Sequence, residues 1–139
     1  MAELPTDMRA HNRKVIEEFR ANKGAGGRAL LLLTTTGARS GLARTTPMMY
    51  IPDGERLLVI ASNAGAPKHP DWYRNLVASS RVTVEVGPET YDATAVVTEG
   101  DERERLWRMI VGQYPFFADH QAKISRQIPV VALERVGSA

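Results

Sequence analysis

The feature that most constrains the fold of this chain is the shortness of two of its turns. PDGE (Pro52–Glu55) separates the strand-like segments Arg44–Ile51 and Arg56–Ser62, and GPET separates Arg81–Val86 from Tyr91–Val97. Parallel neighbours need a crossover of about a dozen residues or more, whereas antiparallel neighbours can be joined by a tight turn. These segments therefore predict antiparallel hairpins and disfavour a doubly wound α/β sheet.

The remaining segments predict further strands and a small number of helices. The additional strands are at Ala29–Thr35 and 129–136, and the helices are at 6–22, His69–Ser79, Asp101–Gln113 and Ala118–Arg126. Asp101 and Glu104 have the spacing of a capping box. About six strands, mostly joined by hairpins, predict a closed or nearly closed antiparallel barrel.

Length and composition indicate one globular domain over residues 1–139, with 1–27 as an N-terminal helix and linker. The chain has no cysteine, which excludes disulfides, thiolate zinc sites and thiol nucleophiles. His11, His69 and His120 are widely spaced, so no metal site is expected. The apolar run Ala29–Leu33 is too short to span a bilayer, and the N-terminus lacks a signal-peptide core, so we expect a cytoplasmic protein.

The charge distribution is uneven along the chain. No acidic residue occurs between Glu18 and Asp53, an interval that holds Arg20, Lys23, Arg28, Arg39 and Arg44. A local excess of cations attracts a polyanionic ligand. Because the rest of the chain is slightly acidic, a nucleic-acid partner is not expected.

The loop TTTGARSGLARTTP (Thr34–Pro47) lies within that interval and has the composition of an anion site. Backbone N–H groups around Gly37 and Gly41 can form a nest, and Arg39 and Arg44 can bind phosphate oxygens. The loop lacks the Lys-Ser/Thr of a Walker motif and is not a G-x-G-x-x-G fingerprint. A polar hairpin loop with solvated arginines is the alternative.

A second stretch, ASNAGAPKHPDWYRNL (Ala61–Leu76), follows a strand with small residues. Such residues let the backbone approach a flat ligand closely, and Ser62 and Asn63 can hydrogen-bond its edge. Trp72 and Tyr73 are candidates for the wall of such a pocket. Alternatively, Trp72 and Leu76 make core contacts on one helix face.

A third stretch, YPFFADHQAKISRQIP (Tyr114–Pro129), concentrates aromatic residues and one histidine. Tyr114, Phe116, Phe117 and His120 suit an apolar substrate pocket with one or two proton donors. A core aromatic cluster beneath a loop is the alternative. Ser40 and Ser62 lack a G-x-S-x-G context, so a serine triad is not supported.

Taken in order, these segments resemble the deazaflavin-dependent nitroreductase family of actinobacterial split-barrel oxidoreductases. The resemblance runs from about Leu30 to Glu134 and is carried chiefly by T-G-x-x-S-G-x-x-R-x-x-P together with H-P-x-W-Y-x-N-L. It implies a mainly β (α+β) fold, an FMN-binding-like split β-barrel with an N-terminal helix and peripheral helices. It also implies binding of coenzyme F420, whose reduced form would supply a hydride to a quinone, an activated enone or ester, or a nitroaromatic.

By motif position, the resemblance assigns the phosphate to the loop and the deazaflavin ring to the backbone after the next strand. The implied cofactor-binding residues are Arg39, Ser40, Gly41, Arg44, Thr46, Pro47, Met48, Ala61, Ser62, Asn63, Ala64, Gly65 and Trp72. The implied substrate-pocket residues are Tyr114, Phe116, Phe117 and His120.

This chain departs from the family pattern in the third stretch. Family members often carry tyrosines where Phe117 and His120 stand, so that only Tyr114 retains its hydroxyl. This departure disfavours prodrug-type nitroreduction. Our hypothesis is that Ser62, Tyr114 or His120 supplies the catalytic hydrogen bond or proton. Ala64 also replaces a glycine that is common in the family.

Three alternatives remain open from the sequence. The protein could be a non-catalytic F420 carrier, or a split-barrel protein that binds FMN or haem. The basic N-terminal helix could contact anionic lipid at the inner face of the plasma membrane, or it could pack its apolar stripe (Met8, Val15, Ile16 and Phe19) on the barrel. Neither the oligomeric state nor the physiological acceptor follows from the sequence.

Overall fold

The computed structural model describes residues 8–24, 26 and 29–136. Residues 6 and 7 of the predicted helix 6–22 lie outside these ranges, as does Arg28. Within them, the strands are β1 (Leu30–Thr36), β2 (Ala43–Met49), β3 (Ile51–Asp53), β4 (Arg56–Ile60), β5 (Arg81–Val86), β6 (Glu89–Val97) and β7 (Val130–Arg135). The helices are α1 (Met8–Asn22), α2 (Asp71–Ala78), α3 (Gly100–Gln113) and α4 (Phe116–Ala122).

The strands form a single antiparallel sheet that curls on itself. Its order is β2-β1-β5-β6-β7-β4-β3, and each pair of neighbours is antiparallel. Strands β2 and β3 lie at opposite ends of this order, although Tyr50 alone separates them in the sequence. The two ends of the sheet must therefore approach each other, which confirms the predicted nearly closed barrel.

The bend at Tyr50 also explains why there are seven strands where about six were predicted. The predicted strand Arg44–Ile51 is divided, and the N–H of Tyr50 donates to the carbonyl oxygen of Ala29 at 3.2 Å. The predicted hairpin with Arg56–Ser62 is formed only by the short strand after the bend, whereas β2 pairs with β1. The second predicted hairpin, β5–β6, is confirmed.

Two apolar clusters stabilise the fold. The first fills the barrel interior and includes Leu31, Leu33 and Val84, with Leu76 of α2 at its edge. The second lies between α3, α4 and the outer face of β4 and β7. Alternation along the strands assigns neighbouring residues to different clusters, because successive side chains point to opposite faces.

The two later helices begin differently from the prediction. Asp101 lies inside α3, whose N-cap is Glu99, and Glu104 contacts the side chain of Arg103, so the predicted capping box is wrong. Helix α4 begins at Phe116 and ends at Ala122, well before Arg126. The early start follows from Pro115, whose restricted φ suits the residue before a first helical turn.

Helix α1 packs against β2, in agreement with the prediction that the N-terminal helix packs on the barrel. Phe19 is buried, and Val15 and Ile16 are half-buried. Arg20 forms a two-point ion pair with Glu85 of β5, with N–O distances of 3.0 and 2.8 Å. Arg20 is therefore already engaged and is not a free cation of the basic interval.

Candidate functional site

The loop between β1 and β2 is held largely by its own backbone. The N–H of Gly37 donates to the carbonyl oxygen of Leu42 at 2.8 Å, and that of Gly41 donates to Gly37 at 2.9 Å. A Cβ at Gly37 would lie 2.6 Å from Ser40 Oγ and 3.2 Å from the carbonyl oxygen of Leu42, so a side chain there would force Ser40 to rotate and the turn to adjust. Fewer backbone N–H groups are therefore free to bind an anion than the sequence predicted, because those of Gly37 and Gly41 already donate within the loop.

The cationic side chains of this loop remain available for a ligand. Arg39 and Arg44 are exposed, and neither has a hydrogen-bonding or ion-pair partner among the described residues. Ser40 Oγ accepts the N–H of Leu42 at 3.2 Å, which leaves its own O–H free to donate. The loop can therefore offer two guanidinium groups and one hydroxyl to an anion.

Asn75 of α2 connects this loop to the barrel. This role was not predicted from the sequence. Its Oδ1 accepts the N–H of Ala38 at 2.9 Å, and its Nδ2 donates to Thr35 Oγ1 at 3.1 Å. Both Asn75 and Thr35 are buried. The sequence does contain a signal for this role, because Asn75 is a polar residue next to Leu76 on the inward face of an amphipathic helix. A polar side chain is stable in such a position only if it has a hydrogen-bond partner.

The segment after β4 forms a strained turn. Ala61 and Ser62 are buried, and their carbonyl oxygens accept hydrogen bonds from Arg126. Asn63 and Ala64 both have positive φ, at 49° and 54°. Left-handed backbone is uncommon for non-glycine residues and concentrates at functional sites.

This turn lies against the aromatic segment predicted to form the substrate pocket. A Cβ at Gly65 would be 3.4 Å from the Cα and the carbonyl oxygen of His120, which is an ordinary contact distance, so the turn and α4 lie directly against each other. The structure therefore brings together two stretches that are distant in the sequence.

The aromatic segment forms a cluster in which the members differ in exposure. Phe117 is only 4% exposed and belongs to the second core cluster, whereas Phe116 is 41% exposed. His120 packs edge-on against both rings, at centroid distances of 5.6 and 5.9 Å. Tyr114 is half-buried beside them. Phe117 is the buried member that joins the aromatic cluster to the core, and its role as a pocket residue stays a prediction.

The proposed proton donors have unused polar atoms. Nδ1 of His120 is buried and has no hydrogen-bond partner among the described residues. Within the same part of the chain, the hydroxyl groups of Ser62 and Tyr114 also make no hydrogen bond. A buried unpaired polar atom is costly unless a ligand or water satisfies it.

The other predicted cofactor residues occupy two elements. Thr46, Pro47 and Met48 lie half-buried on β2, which is an end strand of the sheet and tolerates proline for that reason. Trp72 is half-buried and packs against the first apolar cluster, in agreement with the alternative prediction that it makes core contacts. A cofactor contact for these residues stays a prediction.

An open depression of about 380 Å³ lies elsewhere, at the β3–β4 hairpin and the end of β7. It is lined by charged side chains that pair with one another, including Arg56 with Asp53 at 2.9 Å and with Glu134 at 3.5 Å. This surface does not match a flat aromatic ligand.

Comparison with known proteins decides the family. The model of the F420H(2)-dependent quinone reductase family matches residues 8–135. The chain belongs to this family. It is therefore an oxidoreductase whose cofactor is reduced coenzyme F420, in agreement with the sequence prediction.

Individual relatives agree with this family assignment. An F420H(2)-dependent quinone reductase of Mycobacterium tuberculosis is 40% identical over 108 residues, which are 76% of this chain and 72% of that protein. A solved F420-H2 dependent reductase is 42% identical, with a TM-score of 0.70 over 77% of this chain and 95% of that one. A chain described as a domain-swapped dimer is 36% identical, with a TM-score of 0.72 over 92% and 100%.

Two features are absent from the described part of the chain. No helix among residues 8–24, 26 and 29–136 is long and apolar enough to cross a membrane. In the same ranges, His, Asp and Glu side chains do not gather in groups of three or more that could hold a metal ion.

Proposed function

We propose that this F420-dependent oxidoreductase reduces a small apolar acceptor, most favourably a quinone, at the junction of the Ser62–Gly65 turn and α4. The observation that carries the proposal is the packing of the Ser62–Gly65 turn against α4, where a Cβ added at Gly65 would lie 3.4 Å from the Cα and the carbonyl oxygen of His120. This contact puts the segment expected to line the cofactor ring beside the segment expected to line the acceptor. A hydride donor and its acceptor must be close and aligned in this way.

The residues present suit the cofactor at both of its ends. Arg39 and Arg44 are exposed cations without partners in the described part of the chain, as a phosphate and a carboxylate tail require. Ala61 and Ser62 are small and buried at the start of the turn, where backbone can approach a flat ring. When bound, the reduced deazaflavin supplies a hydride. The protein needs no nucleophile or metal for this step.

The chain's own residues must then stabilise the anion that forms on the acceptor and deliver a proton. His120, Tyr114 and Ser62 are the candidates for these tasks, because each has a polar atom without a partner among the described residues. An imidazole N–H or a hydroxyl can donate to a quinone or enone oxygen as negative charge develops.

The choice of acceptor follows from the aromatic segment. Phe117 has no hydroxyl and is buried, so it cannot donate a hydrogen bond to a nitro group. Phe116, the exposed ring of the cluster, offers an apolar face to a quinone ring or its side chain. Enones and activated esters share the same polarised oxygen and are the second acceptor class. Nitroaromatics are expected to be poor acceptors.

The test is single-turnover oxidation of reduced F420 by menadione, cyclohexenone and a nitroaromatic. We expect menadione to react fastest. Replacing Ser62 by Ala, Tyr114 by Phe and His120 by Phe, singly and together, should slow the step when it is measured at saturating reduced F420. An unchanged rate in the triple variant would contradict the assignment of these donors.

Family membership disfavours the two other functions that the sequence left open. The matching family is one of F420H(2)-dependent quinone reductases, which argues against a non-catalytic carrier and against a protein that binds FMN or haem.

A further inference from the structure

Arg126 has no role in the proposed reaction, and no sequence motif pointed to it. Its side chain binds the turn after β4. Its Nη1 donates to the carbonyl oxygen of Ala61 at 3.1 Å, and its Nη2 donates to that of Ser62 at 2.9 Å. Both Nε and Nη2 contact the carbonyl oxygen of Ala66, at 3.2 and 3.0 Å. One guanidinium therefore spans both ends of the strained turn.

The fifth contact of the guanidinium is with His69. Nη1 of Arg126 lies 3.1 Å from His69 Nδ1, which must be the acceptor because arginine only donates. Burial of His69 and the charges of Arg126 and Arg74 lower the pKa of the imidazole, which keeps it in the neutral accepting form. The ring of His69 also packs against that of Tyr73 of α2, with a centroid distance of 4.5 Å and a tilt of 36° between the ring planes.

Arg126 is itself held in place by its neighbours. Its carbonyl oxygen accepts a 2.7 Å hydrogen bond from Gln121 Nε2, while Gln121 Oε1 accepts the N–H of Ile128 at 2.9 Å. The buried Arg103 donates to the carbonyl oxygen of Ile128 at 2.6 Å. The segment before β7 is thus fixed on both sides, and the guanidinium reaches the turn from a rigid base.

The turn needs such support because its backbone is intrinsically unfavourable. Asn63 and Ala64 are in the left-handed region, and Ala64 gains nothing from a polar side chain that could compensate. Within the turn, the N–H groups of Gly65 and Ala66 donate to Ser62 and Asn63 at 3.0 and 2.9 Å. The side chain of Asn63 also donates to the carbonyl oxygen of Lys68 at 3.0 Å. These short-range hydrogen bonds are a weak restraint on strained backbone.

We propose that Arg126 is the positioning residue of the cofactor-ring site, and that its hydrogen bonds to Ala61, Ser62 and Ala66 hold the turn in its left-handed form. The inference rests on the proposed function only in assigning the ring to this turn. The contacts to the turn do not depend on that assignment. Lysine cannot replace arginine here, since a single ammonium cannot reach carbonyl groups at both ends of the turn.

The first experiment measures amide hydrogen exchange of the full chain without cofactor. Arg126→Lys should raise the exchange rates of the Gly65 and Ala66 amides about tenfold or more, while the β5 and β6 amides stay protected. Arg108→Lys is the matched control, because the Arg108 side chain is exposed on α3 and makes no hydrogen bond, ion pair or ring contact among the described residues. Unchanged exchange at both amides in Arg126→Lys would overturn the proposal.

The second experiment distinguishes positioning from general support of the fold. Ala64→Gly makes the left-handed form accessible without strain, so it should restore most of an F420 affinity that Arg126→Lys lowers by about tenfold. In the wild-type background, where Arg126 already holds the turn, the gain in affinity from the same change should be smaller than in Arg126→Lys. Equal effects of Ala64→Gly in both backgrounds would show that Arg126 does not act through the turn.

A third measurement covers the case in which Arg126→Lys does not fold. In the wild-type protein, the Nη resonances of Arg126 should be separate and slowly exchanging, because each donor is bound. A single averaged Nη signal would overturn the proposal. Failure of the wild-type protein to bind F420 would instead contradict the proposed function and leave the exchange and Nη results to decide the role of Arg126.

Discussion

The side-chain oxygen of Asn75 accepts a 2.9 Å hydrogen bond from the backbone N–H of Ala38. This bond joins α2 to the loop that carries Arg39, and the amide of Asn75 also binds the buried Thr35. The loop predicted to hold the phosphate is therefore positioned by the helix that follows the turn proposed to bind the cofactor ring.

Asn75→Leu should lower the free energy of unfolding by about 2 kcal/mol, because both partners of the amide lose a hydrogen bond. It should also weaken F420 binding, since the loop is released from α2. Thr35→Val is the control. It removes the bond inside the barrel, costs about 1 kcal/mol and should leave F420 affinity unchanged. Urea denaturation and fluorescence titration measure the two effects.

Arg44→Ala and Arg39→Ala should each raise the F420 dissociation constant about five- to tenfold, more at low salt than at high salt. Arg20→Ala is the matched control from the same basic interval, because Arg20 is already paired with Glu85. An unchanged dissociation constant in Arg44→Ala would contradict the assignment of the loop to the anionic part of the cofactor.

Ala64→Gly should stabilise the protein by about 1 kcal/mol, because it relieves a left-handed non-glycine residue. The control is Ala66→Gly, at a residue with extended backbone (φ −69°, ψ 150°), where glycine should destabilise by about 0.5 to 1 kcal/mol. Urea unfolding midpoints compare the two. Stabilisation by both substitutions would rule out backbone strain as the cause.

Stability should decrease in mild acid through His69. Its folded-state pKa is lowered by burial and by the nearby charges of Arg126 and Arg74, so the unfolded chain binds a proton first as the pH falls. The contribution is fully present above about pH 6.5, the unfolded value, and is lost as the pH falls through the lower folded value.

His69→Asn is the matched variant for this effect, because its amide oxygen can accept from Arg126 but does not titrate. We expect the loss of stability between about pH 7.5 and pH 5 to be smaller in His69→Asn than in the wild type. Equal slopes in the two proteins would show that His69 does not titrate differently on unfolding.

Local patterns in the sequence determined a large part of this protein. The short turns and strand alternation predicted an antiparallel barrel, and the barrel is confirmed, because side-chain period and turn length are local properties of the chain. The absence of acidic residues around Arg39 and Arg44 predicted a local excess of cations suited to a polyanionic ligand. Both side chains are without partners in the described part of the chain, whereas Arg20 pairs with Glu85.

Tertiary structure decided what depends on contacts between distant residues. The division of the second predicted strand at Tyr50 follows from barrel closure, which forces one segment to serve both ends of the sheet. The role of Asn75 and the hydrogen bonds of Arg126 each depend on partners at least 37 residues away, in the loop after β1 and in the turn after β4. No local pattern encodes such a pairing, because a buried polar side chain is stable only where the completed fold supplies its partner.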